Sequence, residues 1–268
     1  MPFCSNIVGK LEYLTADCIG VPHCFSTRLG GVSKGSLASL NLGIHRGDQP
    51  KNVLDNYKIL GEAVGFRLTE LVFPRQTHTD IVRRVDETNA GEGLFLPVEP
   101  ECDALITNVP GLALAAFTAD CTPILLHDPV TGAVGAVHAG WRGTVADIAG
   151  KAVKAMCDSY GCEPKDIHAA IGPNIGGCCF ETDEDVPNAV RRVLGEAGER
   201  FIHKTGEKFH VDLKGVNEAL LRRAGVEVID VSTACTACEP TRFWSHRITR
   251  GDRGSLAAII KCEGGENR

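Results

Sequence analysis

A layered α/β or α+β domain is the fold class that this sequence predicts, and three observations predict it. Short apolar or β-branched segments bounded by turn residues recur along the chain. Four longer segments carry apolar residues at helical spacing. The two kinds are interspersed, which is the pattern of sheets covered by helices. Strand order does not follow from these patterns.

Taken in order, the strand candidates are HCFSTR (23–28), LVFPRQ (71–76), DIVRRV (80–85), CDALITN (102–108), LALAAFTA (112–119) and TPILLHD (122–128). They continue with GAVGAVHAG (132–140), IHAAIGP (167–173), KFHVDL (208–213), VEVIDVS (226–232) and LAAIIKC (256–262). The spacing predicts helices over 50–64, 144–160, 184–194 and 213–224. In the second of these, Thr144 is the expected N-cap and Gly161 the stop. The stretch 86–101, rich in Gly, Pro and acid, reads as a surface loop. The tail 262–268 is expected to fray.

Bulk properties narrow the function. With 268 residues, 43% hydrophobic and 23% charged, the chain can bury a sizeable core. Its net charge is −6 and no basic stripe appears, which argues against a nucleic-acid partner. No apolar run approaches the roughly 20 residues of a membrane helix. The start, MPFCSNIVGK, lacks the apolar core of a signal peptide, so a cytoplasmic location is expected. In that setting the twelve cysteines are expected to be reduced, and most to be small buried hydrophobes.

Three residues carry the sharpest chemistry: His78 in RQTHTD, Cys121 in FTADCTPILL and His138 in AVHAGWRGT. Each ends an apolar stretch beside small or polar residues. Two imidazoles and a thiolate suit Zn2+, and three protein ligands leave a position for water or substrate. The bland alternative is three unrelated core residues. Gln76 and Asp80 are candidates to orient His78. Arg142, beside a Gly turn and a helix start near Thr144, is a candidate anion contact. The segment 25–43, with Arg28 and Asn41 as polar anchors, reads equally as a ligand loop or a plain surface loop. Cys178 and Cys179 read as core or packing residues. The single C-x-x-C of Cys235 and Cys238 lacks a second pair at finger spacing.

SLASLNLG, QTH, CDALIT, ADCTPILLHD, AVHAGWRGT, IGPNIGGCCFE and CTA with a following FWSHR occur in this order. As a set they resemble the YfiH-like, or laccase-domain, family, also described as multicopper polyphenol oxidoreductases and related to the purine-metabolising protein FAMIN. The resemblance runs from about Phe25 to about Ile260. It implies a single domain over 1–268, an α/β layered α-β-β-α sandwich with mixed sheets, and a metal held by His78, Cys121 and His138. The chain departs from the family pattern at Asn174, where a cysteine is usual, and at the terminal motif. There Ser245-His246-Arg247-Ile248 and Arg253-Gly254-Ser255 replace a Ser-Tyr-Arg-Arg and a Thr-Gly-Arg sequence. Arg250 or Arg253 is the candidate substitute for the lost arginine.

The activity that the resemblance implies is zinc-dependent phosphorolysis of purine nucleosides, with adenosine deaminase and methylthioadenosine phosphorylase side activities. On that reading the small-molecule partners are a purine nucleoside and phosphate. Arg142, Arg46 and Arg28 would hold phosphate, Ser39 and Asn41 sugar or base, and Gln76 would join this substrate- and phosphate-binding set. The alternatives are a copper (Cu2+) polyphenol oxidase, a peptidoglycan-precursor editing hydrolase and a non-catalytic binding module. The nine histidines are scattered with no His-x-His pair, which argues against multicopper chemistry.

Overall fold

The computed structural model describes residues 2–98 and 100–263, so most of the tail expected to fray (264–268) lies outside the described residues. The strands are β1 (Phe3–Val8), β2 (Leu11–Ala16), β3 (His23–Ser26), β4 (Leu71–Val72), β5 (Val82–Arg84), β6 (Ala104–Thr107), β7 (Ala113–Thr118) and β8 (Thr122–His127). They continue with β9 (Val134–Ala139), β10 (His168–Ile171), β11 (Glu181–Thr182), β12 (Ile202–Thr205), β13 (Lys208–Val211), β14 (Val228–Val231) and β15 (Leu256–Lys261). The helices are α1 (Pro50–Val64), α2 (Trp141–Val145), α3 (Ile148–Tyr160), α4 (Asp185–Leu194), α5 (Leu213–Arg223) and α6 (His246–Thr249).

Two six-stranded mixed sheets result, with orders β1-β2-β3-β15-β7-β4 and β14-β10-β8-β9-β6-β5, beside a small three-stranded sheet β11-β13-β12. Side-chain alternation assigns each strand's two faces. On β15, Leu256, Ala258 and Ile260 join the core between the sheets, while Ala257 and Ile259 join the layer under α1. On β8, Leu125 points between the sheets and Ile124 and Leu126 point at α3. Tyr57 and Leu60 of α1 cover the first sheet, and Val153 and Met156 of α3 with Leu221 of α5 cover the second. The order is therefore helix, sheet, sheet, helix, as the family resemblance implies. Because the inner strands of both sheets are buried on both faces, they read as continuous apolar runs, which is why they were legible.

α1 matches its expected bounds: Pro50 occupies the first turn, where a missing N–H costs nothing, and Gly65 closes the helix in the left-handed conformation. The expected helix over 144–160 needs correction. It is two helices, parted at Asp147, whose φ of 60° leaves the right-handed helical region; Thr144 lies inside α2, buried, with its hydroxyl accepting from Asn217 at 3.0 Å. Asp147 is the N-cap of α3 and accepts from the Gly150 amide at 3.2 Å; Gly161 is the stop, as expected. Strands β1, β2, β11 and β12 were not anticipated. Three of them are exposed or polar and lack a clean alternation, and β2 is buried along nearly its whole length.

Candidate active site and metal centre

The period of two on β9 decides which histidine turns inward. Val134, Ala136 and His138 share the face toward the opposing sheet, while Val137 and Ala139 face the helices. His138 is the last inward residue of the strand and is buried. Cys121 immediately precedes β8, whose Pro123 lies opposite His138 in antiparallel register. The start of one strand and the end of its neighbour thus put sulfur and imidazole side by side. His78 comes from the loop between β4 and β5 and is exposed.

The three ligand atoms lie within 4.8 Å of one another. Cys121 Sγ is 3.8 Å from His78 Nε2, and the two imidazoles meet edge to face with centroids 4.9 Å apart. Bond lengths to zinc place such a sulfur and nitrogen about 3.6 Å apart in a tetrahedral site, so this donor set fits the ion. Gly140 leaves room for it: a Cβ there would stand 2.8 Å from His78 Cδ2 and 3.4 Å from Cys121 Sγ.

Asp103, fully buried at the entry to β6, organises the cluster. Its Oδ1 accepts from His138 Nδ1 at 2.7 Å and from the His78 amide at 3.1 Å. Its Oδ2 accepts from the amides of Thr77 (3.2 Å) and Thr79 (2.7 Å) and from the Thr79 hydroxyl (2.8 Å). Three successive amides wrapped on one carboxylate hold His78 at φ 64°, a conformation that histidine rarely adopts. The bond to Nδ1 leaves His138 Nε2 as its ligand atom. Gln76 and Asp80, expected to orient His78, do other work. The Gln76 amide exchanges bonds of 2.8 and 2.7 Å with the Phe117 backbone, and Asp80 pairs with Lys151. The sequence signal for Asp103 was an acid opening an apolar strand in CDALIT.

Electrostatics follow from burial and these contacts. Burial would raise the Cys121 thiol, but the His138 charge and hydrogen bonds from both imidazoles bring it down to about 6. Burial would lower His138, yet the Cys121 charge and the Asp103 bond lift it to about 9. Asp103 is held at about 2, with its own burial overcome by the His138 bond and charge and by Thr79.

The triad lies in the wall of a cavity of about 790 Å³. Phe73 and Phe117, packed edge to face at 4.8 Å, form an apolar side together with Leu96 and Pro97. The last two belong to the stretch 86–101, so that expected surface loop doubles as a cavity wall. Arg46 and Arg253 also line the cavity. Among the described residues no carboxylate forms an ion pair with either guanidinium. Arg46 Nε donates to the Ser255 hydroxyl at 3.3 Å, and Arg253 Nη1 donates to the Gly254 carbonyl at 3.0 Å. Among the described residues Arg253 Nε is buried with no hydrogen-bond partner. Burial, and then the Arg46 charge, push Arg253 down to about 10.

The other expected ligand contacts lie off this cavity wall. Arg28 stacks on Trp244 at 3.7 Å and donates to the carbonyls of Ala38 and Pro240. The Ser39 hydroxyl bridges the Gly31 amide and the Arg28 carbonyl. Asn41 is fully buried and accepts from the amides of Gly43 and Ser255, bracing the wall from behind. Arg142 is exposed over the Trp141 ring at 4.2 Å. These four side chains shape the protein rather than face the cavity. A second departure concerns Cys178 and Cys179. They are exposed and half-buried, not core, and they meet Cys235 and Cys238.

Comparison with known proteins agrees with this architecture. The sequence model of the multi-copper polyphenol oxidoreductase laccase family matches residues 22–263. A protein of Deinococcus radiodurans named purine nucleoside phosphorylase is 41% identical over 93% of this chain and 92% of its own. A protein named adenosine deaminase RL5, from an unknown prokaryotic organism, is 37% identical over 89% of this chain and 92% of its own. The crystal structure of YlmD from Geobacillus stearothermophilus superposes with a TM-score of 0.92 at 36% identity, covering 98% of this chain and 100% of that one. With its matched span, its sandwich of two mixed sheets and its clustered His78, Cys121 and His138, the chain belongs to the YfiH/YlmD, laccase-like family.

Proposed function

We propose that this protein is a metal-dependent purine nucleoside phosphorylase. It would convert adenosine, inosine or guanosine and phosphate into the free base and ribose 1-phosphate. The observation that carries this reading is the cavity's composition. Two guanidiniums without carboxylate partners, one with an orphaned buried Nε, share a space with an apolar aromatic wall and the metal-ligand triad. A buried donor of that kind calls for an anionic acceptor, and phosphate matches it. Several relatives named purine nucleoside phosphorylase support the same reading.

In this scheme Arg46 and Arg253 hold phosphate and align one oxygen on the ribose C1′. The new C1′–O bond forms as the C1′–N9 bond breaks, and the purine leaves with that electron pair. Phe73 and Phe117 offer the base an apolar wall that excludes water. His78, Cys121 and His138 would hold Zn2+, which when bound supplies a Lewis acid for a substrate oxygen. Asp103 keeps a proton on His138 Nδ1, so Nε2 is the nitrogen that would bind the ion. Zinc is favoured over Cu2+ because, among the described residues, only one of the two possible metal clusters contains histidine, whereas multicopper sites need several imidazoles. Adenosine deamination and methylthioadenosine phosphorolysis in the same cavity belong to the proposal, with the relative named adenosine deaminase as support for the former. Among the described residues no helix is long and apolar enough to cross a membrane. Twelve cysteines with no disulfide among the described residues suit a cytoplasmic setting.

The test is direct. Purified protein is given inosine with phosphate, and hypoxanthine release is followed. Phosphate-dependent release that is lost in Cys121→Ala is expected. No release, or equal release by the variant, would overturn the proposal. Parallel assays on phenols and cell-wall precursors test the oxidase and editing-hydrolase alternatives.

A further inference from the structure

Away from the cavity, two loops distant in sequence bring four cysteines to one point. Cys178 and Cys179 lie in the turn after β10, and Cys235 and Cys238 in the turn after β14. Their sulfurs all lie within 4.8 Å of one another, with Cys238 Sγ 3.6 Å from Cys178 Sγ and 3.4 Å from Cys179 Sγ. From the sequence this looked like half a finger, because the second pair is adjacent rather than spaced as C-x-x-C. The fold supplies that pair by setting β10 beside β14 in parallel register and bridging Asn174 to Cys235.

We infer that these four thiolates form a second, structural zinc site. Four sulfurs at a zinc–sulfur bond length of about 2.3 Å stand about 3.8 Å apart in a tetrahedron, close to the separations seen. A four-iron cluster places each cysteine on a different iron, which spreads the sulfurs beyond the observed spacing. The surroundings suit an anionic sulfur cage. The Gly176 amide donates to Cys235 Sγ at 3.2 Å. The buried Lys214 ammonium, held on the Ala234 carbonyl at 2.5 Å, lies near Cys235 and Cys178. All four ligand positions are filled by protein, so this ion has no open place for substrate.

The two clamped loops also meet the active site from behind. Asp120, next to Cys121 and at φ 88°, uses its carbonyl to accept from the Ile175 amide and its Oδ1 to accept from the Thr236 hydroxyl at 2.6 Å. A third brace comes from α6, where Arg247 donates to the carbonyls of Cys179 and Glu181 while its amide donates to Asp120 Oδ2. The site therefore acts as a staple that fixes the backbone carrying Cys121.

Elemental analysis of protein purified under reducing conditions without chelator tests this independently of any activity. Cys121→Ala, which disables the other cluster, is expected to keep about one zinc per chain. Cys178→Ser/Cys238→Ser is expected to lose one equivalent relative to wild type. No zinc in Cys121→Ala, an unchanged content in the double variant, or iron in place of zinc would overturn the assignment. If the double variant fails to fold, the Co2+ spectrum of Cys121→Ala decides. A strong sulfur-to-cobalt charge-transfer band with intense tetrahedral bands supports four thiolates, and a weak octahedral spectrum refutes them. Denatured wild type, prepared with chelator and no reductant, should titrate all twelve thiols; a deficit that maps to these four would show disulfides instead.

Discussion

Replacing Asp103 by Asn keeps the size of the side chain and removes only its charge and one acceptor. The carboxylate is fully buried and accepts five hydrogen bonds, two at Oδ1 and three at Oδ2. The amide nitrogen must face one of these groups. The less costly orientation aims it at His138 and the His78 amide, so two bonds to a charged acceptor are lost, each worth about 1.5–3 kcal/mol. A stability loss of about 3–5 kcal/mol follows, in line with breaking a buried charged pair. In that orientation an N–H points at His138 Nδ1, which drives the imidazole proton to Nε2 and blocks ligation. Zinc affinity should fall about 10–100-fold. Competition against a chromophoric chelator reads the affinity, and urea unfolding of metal-free protein reads the stability. Affinity within twofold of wild type would refute the claim that Asp103 sets the His138 tautomer.

Other expectations are as specific. Gly140→Ala places a methyl against His78 Cδ2 at 2.8 Å, while its φ of −66° suits alanine. Metal affinity should therefore drop by about tenfold or more with little change in unfolding midpoint, the mark of a displaced ligand. Arg253→Met should raise KM for phosphate by about tenfold or more, as loss of a charge-assisted bond does, without altering metal content in elemental analysis. Arg28→Ala should instead destabilise by about 0.5–2 kcal/mol through its lost stack on Trp244 and leave the phosphate KM unchanged. Metal uptake should release about one proton per ion. Between about 6 and about 9 the metal-free Cys121 and His138 exist as thiolate and imidazolium, so the arriving cation displaces only the His138 Nε2 proton. Calorimetry in buffers of differing ionisation enthalpy measures that number, and uptake without release would contradict the pairing.

The sandwich was legible where strands are buried on both faces, as in TPILLH of β8 and LAAIIK of β15. It was illegible at β1, where exposed polar residues hide the pattern. His78, Cys121 and His138 could be picked out because imidazole and thiol at strand ends are unusual for their setting. Their partner Asp103 gave only a faint signal, an acid opening the apolar strand of CDALIT, and its role emerges only when the chain folds around it. Arg28, Ser39 and Asn41 misled for a related reason: a Gly-rich, polar loop has the same composition whether its side chains bond a ligand or its own backbone. Here they bond the backbone. Adjacent cysteines look unable to share an ion with a lone C-x-x-C until β10 and β14 are known to be neighbours.

The place of β15 carries a consequence for biosynthesis. This strand, residues 256–261, sits in the middle of the first sheet between β3 and β7. A nascent chain emerging from the ribosome therefore holds two unzipped sheet halves, with their edges bare, until residues 256–261 have been translated. Chaperone dependence during translation should be greatest just before that segment emerges, and premature stop codons upstream of it should yield aggregates rather than a smaller working protein.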